Sequence, residues 1–191
     1  MDGQGEPRSN RLRKIAALII LTVALIPALL VSAAHAAPRQ TPSGQPVPRY
    51  VSLKFDKVYA RAGPGEDHKL VWVYHAKGLP VQVIAENTEW RRICDPEGGV
   101  AWIHRRLTSG EAKVMRAKPE RLALHKQPRA EAEIIAYLAP RALAELVKDC
   151  EDGWCKLKAD GVSGWAPAGE LWGVSDAIQC KLTRPTAARS R

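Results

Sequence analysis

The sequence is poor in the signatures of chemistry. Its 191 residues hold no C-x-x-C pair and no histidines spaced as a second ligand pair, which excludes the usual zinc modules. They hold no Gly-rich loop ending in Lys-Ser or Lys-Thr, which excludes a P-loop; Gly63-Pro64-Gly65 lacks both the length and the ending. Acidic residues are outnumbered, 20 Asp+Glu against 29 Lys+Arg, for a net charge of +9. Nothing in the sequence implies a cofactor. The length suits one or two small domains and leaves no room for a large α/β enzyme.

Only one long apolar run is present. Ile15 to Val31 is interrupted only by Thr22 and Pro27, and it follows Arg8, Arg11, Arg13 and Lys14. Ala34-His35-Ala36 fits the small-x-small pattern of a signal peptidase site, so residues 1–36 read as a signal peptide and Ala37 as the mature start. The alternative is an uncleaved anchor in the inner membrane, although seventeen residues with a proline are short for a span. No adjacent Arg pair precedes the run, so a twin-arginine route is not indicated. Residues 37–50, with Pro38, Pro42, Pro46 and Pro48, read as a Pro-rich linker.

The rest of the chain is an internal duplication. A shift of 64 residues sets Pro64 on Pro128, Leu70-Val71 on Ile134-Ile135, Leu79 on Leu143, Val83 on Val147 and Trp90 on Trp154; one deletion later Trp102 falls on Trp165. Repeats come before element assignment, and here they give two copies of about sixty residues. The first copy predicts strands at Val58–Arg61, Leu70–Tyr74, Leu79–Glu86, Trp90–Cys94 and Val100–His104, separated by turn residues. In the third, Leu79, Val81, Val83 and Ala85 alternate with Pro80, Gln82, Ile84 and Glu86, the pattern of a half-buried strand. The second copy follows with a turn at Glu151-Asp152-Gly153. Its stretch from Glu120 to Ala144, rich in Ala, Glu, Arg and Leu, is also compatible with a helix.

Val58-Tyr59-Ala60-Arg61-Ala62-Gly63-Pro64-Gly65, Lys77 to Val83, Trp90 and Gly164-Trp165 resemble the bacterial Src-homology-3-like (SH3-like, SH3b) domains. Residues 51–175 are similar to exported tandem-domain members of that family in Gram-negative bacteria. The resemblance implies an all-β fold of two tandem SH3-like small β-barrels, each partly open and five-stranded. The expected domains are 51–115 and 116–175, with a basic flexible tail at 176–191. It also implies a groove lined by Tyr59, Arg61, Trp90 and Trp102. The competing use of each tryptophan is packing.

Cys150 and Cys155 flank the Glu151–Trp154 turn and can face each other across a hairpin, so a disulfide is expected in an oxidising compartment; the family resemblance supports the same pair. Cys94 and Cys180 either pair or remain buried thiols. No cysteine sits in a helix-opening context beside a histidine, so no catalytic residue is expected. The basic pairs Arg91-Arg92 and Arg105-Arg106 suggest anionic partners, and nucleic acid is not expected outside the cell. Together these readings predict an exported, periplasmic, non-enzymatic protein. Its expected partners are cell-wall peptides or an envelope protein, with contact to a membrane surface as a further option and the oligomeric state open. A scaffold for protein interactions is the alternative, and a minor cell-wall hydrolase using Cys94 is the third.

Overall fold

A computed structural model describes residues 41–180; the expected signal segment at 1–36, residues 37–40 and residues 181–191 lie outside the described residues. Among the described residues no helix is long and apolar enough to cross a membrane. The fold is all-β, with two short 3-10 turns. The first copy contains β1 (Arg49–Leu53), β2 (Val58–Arg61), β3 (Leu70–Tyr74), β4 (Pro80–Glu86), β5 (Trp90–Cys94), β6 (Val100–His104) and β7 (Thr108–Ser109). The second contains β8 (Lys113–Met115), β9 (Leu122–His125), β10 (Ile134–Leu138), β11 (Leu143–Glu151), β12 (Trp154–Ala159) and β13 (Val162–Pro167).

The two sheets repeat one topology. The first runs β3-β2-β6-β5-β4-β1-β7 and the second β10-β9-β13-β12-β11-β8. An isolated bridge from Met115 to Trp172 stands where β7 meets β1 in the first copy. Trp90 and Trp154 open equivalent strands, paired with the last residue of β6 and of β13 respectively. Each sheet exceeds the five strands expected: β1, whose Arg49 and Tyr50 were read as linker, pairs with β4 and β7 in the first, and β8 pairs with β11 in the second. The Glu120–Ala144 stretch forms β9 and β10 rather than a helix. Leu122 and Leu124 alternate into the core, and Pro128 and Pro140 deny a helix its backbone donors.

Two cores result. Val58, Ala60, Val81, Val83, Ile93 and Ile103 fill the first; Val114, Leu124, Leu157 and Ala166 fill the second. The first core is not self-contained. Met115, Trp172 and Cys180 pack into it, and Trp172 Nε1 donates to Pro80 O at 2.8 Å. β8, at the end of the span expected for the first domain, pairs with β11 of the second sheet.

The segment after Trp172 runs back across the first copy as a strap. Gln82, placed by alternation on the solvent side of β4, is fully buried because the strap lies on it. Its Nε2 donates to Ala177 O at 2.8 Å and its Oε1 accepts from Gln179 N at 2.9 Å. Tyr50 meets Trp172 edge-on, with ring centroids 5.6 Å apart. The strap ends in a disulfide from Cys180 to Cys94, Cα–Cα 5.8 Å. Residues 176–180, expected to be part of a flexible tail, are therefore anchored. The second disulfide joins Cys150 and Cys155, Cα–Cα 4.2 Å, as expected.

Candidate functional site

Strand parity decides which side chains share a surface. Val58, Ala60, Ile93, Ala101 and Ile103 are buried, so their neighbours in sequence lie on the opposite face. Arg61 pairs with Trp102, and Trp102 with Arg92, in register across β2, β6 and β5. Tyr59 lies two residues from Arg61, and Trp90 two residues from Arg92. The four residues expected to line a groove thus share one sheet face. They are not equally accessible. Tyr59 is 46% exposed, with Lys57 Nζ 5.1 Å from its ring centre. Arg61 and Trp102 are half-buried. Trp90 is only 7% exposed, edge-on to His104 with centroids 5.4 Å apart, so it buttresses the face and offers it little surface.

The same row recurs in the second copy. His125 pairs with Trp165, and Trp165 with Lys156. Lys156 Nζ lies 5.9 Å from the centre of the Trp165 ring. Trp154 packs edge-on against His125, centroids 5.4 Å apart. Even the loop contact is repeated: Arg61 donates to His68 O at 2.9 Å, and His125 Nδ1 lies 3.0 Å from Ala132 O. In the first loop a Cβ on Gly63 would lie 2.6 Å from the His68 ring. Any larger residue here would require the His68 ring to move.

A second surface was not anticipated. A cleft of about 720 Å³ is lined by Trp72, Tyr74, Leu79, Val100 and Ala101, with Asp95, Glu97 and Arg141 at its rim. Trp72 is 61% exposed on β3, an edge strand. The Tyr74 hydroxyl donates to Asp95 Oδ2 at 2.9 Å; burial, then the Asp95 charge, push its pKa well above the ordinary phenol value. Asp95 Oδ1 accepts from Gly99 N at 2.7 Å and Glu97 N at 3.0 Å, which fixes the turn below the cleft. The signal for this site lay in Leu70-Val71-Trp72-Val73, an apolar run with no polar alternate face.

All four cysteines are in disulfides. Cys94 offers no thiolate, so the hydrolase reading loses its nucleophile. Among the described residues no group of three or more His, Cys, Asp or Glu is placed to hold a metal ion.

Likeness to solved structures is slight. NlpC2 from Trichomonas vaginalis matches at 13% identity and TM-score 0.30 over 70% of this chain, and NlpC1 from the same organism at 12% and 0.30 over 76%. The chain spans about half the length of these proteins, 49% and 50%, and likeness at this level carries no argument. No curated protein sequence matches. The family model described as a bacterial SH3 domain matches twice, over residues 54–110 and 118–173. These two stretches take in every strand but β1 and β8 and more than half of the sequence, and the chain belongs to the bacterial SH3 domain family.

Proposed function

We propose that this chain is an exported, non-enzymatic binding protein of the cell envelope. Its two aromatic and basic faces would hold extended peptides, of the cell wall or of an envelope protein, by their carboxylates. One observation carries the reading: a tryptophan flanked in register by two nitrogen side chains recurs in both copies, as Arg61–Trp102–Arg92 and His125–Trp165–Lys156. A half-buried indole supplies apolar area, and Arg61, Arg92 and Lys156 supply charge-assisted hydrogen bonds. Tyr59 extends the first face, with Trp90 as its support. Extended peptides lose little entropy on such surfaces. The two disulfides favour an oxidising compartment, and the leader points to the periplasm.

Retention of the folded chain on purified peptidoglycan at low salt tests the reading. Trp102→Ala combined with Trp165→Ala should abolish retention, and either change alone should weaken it. No retention of the unaltered protein removes the wall-binding proposal.

A scaffold role has its own support. Both edge strands expose apolar side chains: Leu70, Val71 and Trp72 on β3, and Ile134, Ile135 and Tyr137 on β10. An extended segment of an envelope protein could add to either edge. Cross-linking in envelope extracts that yields one dominant partner, lost on Trp72→Ala, would favour it.

A further inference from the structure

At another part of the first copy a cleft of about 640 Å³ is lined by Arg49, Arg91, Arg105, Arg106, Thr108 and Ser109. The residues come from β1, β5, the 3-10 turn Arg105–Leu107 and β7. Four guanidinium groups therefore meet in one cavity. The carboxylate nearest to them is Glu86, whose Oε2 accepts from Arg49 at 2.5 Å and lies 3.4 Å from Arg91 Nε. Arg106 is 4.0 Å from Glu66, with both side chains exposed. Arg105 makes no ion pair among the described residues.

The cluster is electrostatically unfinished. Arg91 donates to the Thr108 hydroxyl, but its Nε is buried and makes no hydrogen bond. Burial, followed by the like charge of Arg49, lowers the pKa of Arg91, against the pull of Glu86. An anion in the cleft would offset the repulsion between Arg49 and Arg91.

We propose that this arginine cleft is an oxyanion site that takes a phosphate group. Four cations against the two carboxylates of Glu86 and Glu66 leave an excess of two positive charges. One carboxylate ligand would occupy a single guanidinium fork, whereas a phosphate offers acceptors to more than one. The Thr108 and Ser109 hydroxyls add neutral groups at the wall. The second copy has no such site. Lys113 stands where Arg49 stood and Cys155 where Arg91 stood, and the turn Ala168–Glu170 replaces Arg105–Leu107. This site lies outside the Trp102 row and does not depend on the peptide reading.

The test uses the full chain and inorganic phosphate, titrated against sodium chloride and sodium acetate at equal ionic strength. Phosphate should give heat with one-site stoichiometry and raise the unfolding midpoint, because it binds only the folded state. Arg105→Gln with Arg106→Gln should weaken binding at least about tenfold, as the loss of a charged hydrogen bond predicts. Lys148→Gln with Lys158→Gln removes the same charge from the second copy and should leave binding intact. A parallel arm compares phosphatidylglycerol with phosphatidylcholine vesicles. Phosphatidylglycerol binding that the arginine variant loses supports the site and identifies a lipid headgroup as the source. Binding of free phosphate without vesicle binding supports the site with a soluble source. Acetate as effective as phosphate, equal loss in both double variants, or no effect beyond chloride overturns the proposal.

Discussion

The two copies close the same hairpin with different chemistry. Between β4 and β5, Glu86 faces Arg91 in register as an ion pair. Sixty-four residues on, the same two positions are Cys150 and Cys155, joined by a disulfide between β11 and β12. The first turn is held by Asn87, whose Oδ1 accepts from Glu89 N at 3.0 Å and Trp90 N at 2.7 Å. The second has Asp152 and Gly153 at φ 50° and 78°, a left-handed pair suited to a two-residue hairpin. The strands differ too. β4 is buried at its start, where the strap covers Gln82, whereas β11 is mostly exposed. A hairpin whose carboxylate is buried, as the Glu86 side chain is at 2% exposure beside Arg49, can rely on side-chain polar contacts. One left in solvent is held by a covalent bond. The repeat therefore preserves positions and topology, while the interaction at each position follows local burial.

The largest expected effect comes from removing the cover. Cys94→Ser with Cys180→Ser opens a loop of sequence separation 86, which chain entropy values at about 4–5 kcal/mol. Denaturant unfolding should show the loss, and the Trp172 fluorescence environment should change with it. The hairpin disulfide spans a separation of only 5, so Cys150→Ser with Cys155→Ser should cost about 2 kcal/mol. Equal losses in the two pairs would refute the account of the strap as the larger constraint.

Next is Glu86→Gln, expected to cost about 1–2 kcal/mol at neutral pH through weakened charged hydrogen bonds. Burial pushes the Glu86 carboxyl up, but hydrogen bonds from Ser43, Thr41 and Arg49 and the Arg49 charge together hold it down at about 2, against an ordinary 4.5. A lowered folded-state value means stability that is fully present above pH 4.5 and is lost as the pH falls through about 2. Acid titration of the unaltered protein should show this decline, and the glutamine variant should lack its contribution. The second copy's disulfide has no such titration. The smallest change is Asn87→Ala, about 1 kcal/mol from the lost turn acceptor, measured by thermal unfolding.

Much of the fold was legible in the sequence, because apolar alternation and turn residues carry it. β2, β3, β5 and β6 lie where alternation and turns placed them. The parity that puts Tyr59, Arg61 and Trp102 on one face could also be read once those strands were assigned. β1 was hidden because Arg49 and Tyr50 follow four prolines and look like linker. The strap was hidden because Gln179 and Cys180 hold it by single polar and covalent contacts, with no periodic signal. Gln82 looked solvent-facing for the same reason: its cover arrives from more than ninety residues away. Arg91, Arg105 and Arg106 were conspicuous as pairs along the chain. Their convergence with Arg49 needed the sheet order, which brings the arginines of β1 and β5 and those after β6 together.

The interlocking of the first core with Met115, Trp172 and Cys180 sets an order of assembly. The half of the protein made first is the half finished last, since its outer wall is supplied by residues threaded out after the second half is complete. Such a pair cannot be dealt out as separate modules, and gene rearrangements that split it between the copies would leave the earlier one uncovered.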